Sequence, residues 1–139
     1  LVGTFSAVNE STWEHLKLLF FPMLISTIIG FSYKGKVIPN YLCAKVLGII
    51  LAMSFVVIFF YTYVGIIGTN FAIVDIGSFF IAVGLGQYVA YQKMQSTSSC
   101  SNVIPIIILL VLCSCFLIFT FFPLHIALFE DPIIGSFGI

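Results

Sequence analysis

The sequence predicts an all-α, polytopic helical membrane protein with four transmembrane helices, and three observations predict it. Of 139 residues, 61% are hydrophobic and only 7% are charged, whereas a soluble domain carries about a quarter of its residues as Asp, Glu, Lys or Arg. Four apolar stretches each approach the roughly 20 residues that a helix needs to cross the hydrocarbon core. The connections between them are short and carry Gly, Pro, Asn or a Ser/Thr cluster, the expected helix breakers. Five basic and five acidic residues cannot coat a water-soluble globule. That excludes a cytosolic enzyme, a nucleic-acid binder and a disordered tail, and makes the lipid bilayer the main partner.

The first span is expected at about residues 16–33, the second at 45–67, the third at 71–91 and the fourth at 103–126, all within one domain. Strands are ruled out because an open sheet in lipid leaves backbone groups unpaired, and the stretches are too long for barrel strands. Pro22 and Pro105 fall in or near first turns, where a missing N–H costs least, and Pro22 is also a site for a kink. The tail, 127–139, is too short and too interrupted by Pro132, Gly135 and Gly138 to span, so it should fold back over the outer face. The opening residues lack the pattern of a signal peptide, and the chain does not begin with Met, which reads as a fragment.

Sidedness follows from lysine, since Arg is absent. Lys34, Lys36 and Lys45 flank the first connection and Lys93 opens the third, whereas only Lys17 lies at the other side. The positive-inside rule places the first and third connections in the cytoplasm and both ends of this chain outside the plasma (inner) membrane. Two stripes of small residues then recur every four positions: Ala44, Gly48 and Ala52 on the second span, and Ser78, Ala82, Gly86 and Ala90 on the third. Such stripes let two helices approach closely, so the second and third spans should form a tight hairpin. Gln87 and Tyr88 read as interhelical hydrogen-bond glue. The four cysteines are not expected to form a disulfide framework. Cys113 and Cys115 point about 200° apart around a helix, and Cys43 and Cys100 fall on the reducing side.

Given this topology, every acid and both histidines share the outer leaflet. The candidate outward polar site comprises Asn9, Glu10, Glu14, His15, Lys17, Asp75, His125 and Asp131. Several of these have plainer roles. Ser11 and Glu14 form a capping-box pattern, and Glu130-Asp131-Pro132 reads as a turn. Glu14 and Lys17 are spaced for an i, i+3 ion pair, Trp13 suits an interfacial anchor, and Asn9-Glu10-Ser11 matches the N-glycosylation pattern. Asp75 is the most costly residue, on the order of 3 kcal/mol inside a helix core. It should sit near the interface or act as a proton or cation partner for Lys17 or a histidine. His15 and His125 are the candidate ligands of a divalent metal, although no metal-binding spacing supports one and no other cofactor is evident.

The runs Asn9-Glu10-Ser11, Trp13-Glu14-His15 and Lys17, with Asp75-Ile76, Gly86-Gln87-Tyr88, Leu128-Phe129, Asp131-Pro132, Gly135 and Gly138-Ile139, resemble a family of small prokaryotic membrane proteins. That family is a domain of unknown function. The resemblance covers nearly the whole chain and implies one further helix before it, giving five spans and a cytoplasmic N-terminus in the complete protein. It implies no activity. The function expected from the residues is transport or binding of a proton, cation or small polar solute. The alternative is a structural or accessory subunit, within a homo-oligomer or beside another membrane subunit, whose polar residues only cap helices. A membrane-embedded enzyme using the same groups as acid and base ranks lower.

Overall fold

The computed structural model describes residue 3, residues 11–131, and residues 135 and 137. Within them the chain forms α1 (Thr12–Lys34), α2 (Tyr41–Ile67), α3 (Ala72–Met94) and α4 (Val103–Phe121), each long and apolar enough to cross a membrane. Ser11 starts α1 by accepting the Glu14 backbone N–H at 3.3 Å, which satisfies one of the helix's free donors. Gly68 ends α2 with φ 87°, a left-handed cap that favours glycine. Hydroxyls within the spans bond back to their own helices: Thr27 to Met23 O, Ser114 to Leu110 O and Thr120 to Phe116 O. In lipid this removes the cost of an unsatisfied polar group.

Several boundaries differ from the sequence reading: α2 begins at Tyr41 rather than near residue 45, α3 runs on to Met94 rather than residue 91, and two further shifts have consequences. α1 begins at Thr12 rather than near residue 16, so Pro22 lies well inside the helix instead of in its first turn. The carbonyl of Leu18 thereby loses its intrahelical donor. α4 stops at Phe121 instead of continuing to residue 126. Pro123 follows the stop, and turns at Ile126 and Phe129 take over the backbone bonds. The returning segment docks on α1, where the Trp13 N–H donates to Leu128 O at 3.0 Å.

The hydrophobic core lies between the helices rather than around them. It consists of Leu16, Leu19, Phe20 and Met23 from α1, Ile49 and Ala52 from α2, Ala82 from α3 and Phe116 from α4. The closest approach is between α2 and α3, with both small-residue stripes buried. A Cβ placed on Gly86 would stand 2.5 Å from Gly48 O, and one on Gly48 would collide with Gly86 O. Only glycine permits this crossing. α3 and α4 leave most of their surface to lipid, with Ile73, Phe80, Ile104 and Leu110 exposed.

The cysteine reading needs correction. Cys43 and Cys100 form a disulfide, with Cα atoms 6.4 Å apart across 57 residues of sequence. The reading considered each cysteine beside its own loop. Packing of α2 against α3 brings the first turn of α2 next to the α3–α4 connection. The buried Asn40 side chain strengthens that junction by donating to Lys93 O at 2.6 Å. Cys113 and Cys115 remain thiols within α4.

Candidate functional site

The ends of the bundle differ chemically. At one, which we call the acidic end, the start of α1, the α2–α3 turn and the segment after α4 bring together Glu14, Asp75, Glu130 and Asp131. The other, the lysine end, carries Lys34, Lys36, Lys45 and Lys93. The sequence-selected polar residues at the acidic end do not converge on one point. They divide into a sealed cluster and an open cleft.

The sealed cluster lies at the foot of α1. Lys17 Nζ donates to Glu14 Oε2 at 2.7 Å and to Gly3 O at 3.1 Å, and the lysine is fully buried. The i, i+3 spacing on one helix makes this pairing local. The ammonium of Lys17 is thus committed to Glu14, and the reading that made it a partner for Asp75 does not hold. Ser11 and Asp131 are buried as well. Trp13 packs nearby, its ring 4.6 Å from that of Phe116 and 4.9 Å from that of Phe129. Its indole Nε1 is buried and has no hydrogen-bond partner among the described residues, so Trp13 serves as a packing wedge and not as an interfacial anchor with a wet polar tip.

The open cleft lies between α1, α2 and α3 and encloses about 580 Å³. Thr12 and His15 line it from α1, Phe60 from α2, and Asp75, Ser78 and Phe79 from α3. His15 is exposed, and its Nδ1 donates to Ser11 O at 3.0 Å, which sets the protonated nitrogen of the neutral ring. Asp75 stands in the first turn of α3. Tyr63 donates its hydroxyl to Asp75 Oδ1, and Asn70 donates to Oδ2 at 3.4 Å. The same Tyr63 oxygen accepts the Phe71 N–H at 3.3 Å, tying the carboxylate to the α2–α3 turn. Among the described residues no cationic side chain pairs with Asp75. Its charge is held by neutral donors and faces a cleft with aromatic walls.

The remaining candidates lie apart. Exposed His125 packs against Phe137 at 4.9 Å between ring centroids. Asn9 and Glu10 lie outside the described residues. Among the described residues no three of His, Cys, Asp or Glu come close enough to hold a metal ion. Gln87 accepts a 2.6 Å hydrogen bond from Lys45 across the α2–α3 crossing. Tyr88 is exposed and accepts from Gln92 on its own helix, so it is not interhelical glue. Tyr63, Asn70 and Phe60 were not selected from sequence. A tyrosine and an asparagine on either side of a short turn before a membrane aspartate are the signal that was available.

Comparison with known proteins gives no match among curated proteins and none among solved structures. The sequence model of one family, described as a family of unknown function, matches residues 1–139. The chain, with four membrane-length helices among its described residues, belongs to that family, DUF6512.

Proposed function

We propose that this multi-pass membrane protein binds a small cationic solute in the His15–Asp75 cleft, as a binding or transport protein opening to the outside. One observation carries the reading: Asp75 presents a carboxylate, supported by Tyr63 and Asn70, to a 580 Å³ cleft without a cationic side chain paired to it among the described residues. A carboxylate within a membrane helix is costly unless it is paired, protonated or facing water. A cation in the cleft would meet that need, and Phe60 and Phe79 offer ring faces that attract cations carrying apolar groups. The outward direction is supported by the lysines at the opposite end.

The test is binding of tetramethylammonium to the purified chain and to Asp75→Asn, with helix content measured by circular dichroism. The expected outcome is a loss of affinity of at least about tenfold in the variant, with the helices retained, as follows from removing one partner of a charge-assisted contact. Equal binding by a folded Asp75→Asn variant overturns the reading.

A further inference from the structure

A second cleft, of about 380 Å³, lies near the lysine end between α1, α2 and α3. Ser26, Gly30 and Lys34 line it from α1, Tyr41 and Lys45 from α2, and Tyr91 from α3. Its floor is built by fit. A Cβ on Gly30 would collide with the Tyr41 hydroxyl, and that buried hydroxyl donates to Thr27 O at 3.4 Å. Lys45 lies four residues into α2 and is half-buried. Its partners are a neutral amide oxygen, Gln87 Oε1, and the ring of Tyr41, 5.9 Å from Nζ. Among the described residues no carboxylate pairs with it, since Glu14, Asp75, Glu130 and Asp131 all lie at the other end.

We propose that this cleft binds the phosphate of an anionic phospholipid. Two ammonium groups line one small cavity and repel one another, neither pairs with a carboxylate among the described residues, and Lys45 stands a full turn inside a membrane helix. Such a charge is costly in the membrane until it is neutralised, and basic pockets between helices at this depth take anionic head groups. A phosphate seated between Lys34 and Lys45 also finds a hydroxyl donor in Tyr91 on the wall, whereas the Ser26 hydroxyl is already donated to Met23 O at 2.9 Å. The flank supplies the remainder of the lipid site. Exposed Ile25 and Ile29 continue along α1 from the cleft toward the bilayer centre, where acyl chains would lie. A free phosphate has the same headgroup chemistry but makes no use of that flank.

The test is native mass spectrometry of the detergent-solubilised chain titrated with phosphatidylglycerol, with phosphatidylcholine and, in a separate arm, with inorganic phosphate. Phosphatidylglycerol should be retained over phosphatidylcholine, and Lys34→Gln and Lys45→Gln should each lower its retention about fivefold. Lys36→Gln, an exposed lysine at the same end but outside the cleft, should leave retention unchanged. Lys34 is exposed, so its variant decides the matter even if Lys45→Gln does not fold. Equal retention of the two lipids overturns the proposal, as does an equal loss in Lys36→Gln, which would signify diffuse surface charge. Displacement of the lipid by inorganic phosphate reassigns the cleft to the free anion and overturns the lipid assignment.

Discussion

Two carboxylates in comparable helix positions, Glu14 and Asp75, have been given opposite uses by their neighbours. Glu14 is spaced three residues from Lys17, and the pair is buried. Among the described residues Asp75 meets the neutral donors Tyr63 and Asn70, and it faces an open cleft. A buried ion pair adds little net stability, but breaking one leaves an uncompensated charge. Lys17→Met alone should therefore destabilise the fold by about 3–5 kcal/mol, while Lys17→Met combined with Glu14→Gln should recover most of that loss. Thermal unfolding of the two variants in detergent checks this. A double variant no more stable than the single one would show that Lys17 matters for packing and not for charge. The spacing of this pair was legible in the sequence. Which carboxylate would be sealed and which left open was not, because that depends on what packs above each one.

Among the elements, the α2–α3 hairpin is set by small residues and the rest of the bundle by larger ones. Gly48 and Gly86 meet backbone to backbone, whereas Gly84 and Gly65 have nothing within 4 Å of an added Cβ. Gly86→Val should push the helices apart and cost about 1–3 kcal/mol, and Gly84→Ala should leave stability at or slightly above that of the parent. The same unfolding assay separates them, and equal effects at both positions would remove the crossing as the organising contact. The four-residue repeat of small side chains could be read without coordinates. The crossing point could not, since each stripe offers several pairs of positions for contact. The end of α4 was also obscure, because Phe121 and Phe122 are as apolar as the helix before them.

For the whole molecule, two observations bear on its direction in the membrane. Lysine asymmetry favours a cytoplasmic lysine end, but the structure joins Cys43 to Cys100 there, and the cytosol keeps such pairs as thiols. Both statements are compatible if the pair lies within bonding reach and is reduced in the cell. The expected outcome is then clear for a Cys113→Ala, Cys115→Ala background treated with a membrane-impermeant phosphine and a membrane-impermeant maleimide. Intact cells should leave Cys43 and Cys100 unlabelled, and permeabilised cells should label both. Labelling in intact cells would turn the molecule over and place the Asp75 cleft on the inner side.

Membrane insertion, the four spans among the described residues and the separation of four of the five lysines from the acids belonged to the sequence. They depend on local length, hydropathy and order along the chain, which any helix in lipid must obey. The pairing of Cys43 with Cys100, of Tyr63 with Asp75 and of Lys45 with Gln87 belonged to the tertiary structure. Helices that are apolar nearly all round carry little signal of which face turns inward. Rotation about each axis, and with it the division of the polar groups into a sealed pair and two clefts, was decided by side-chain packing between segments far apart in sequence.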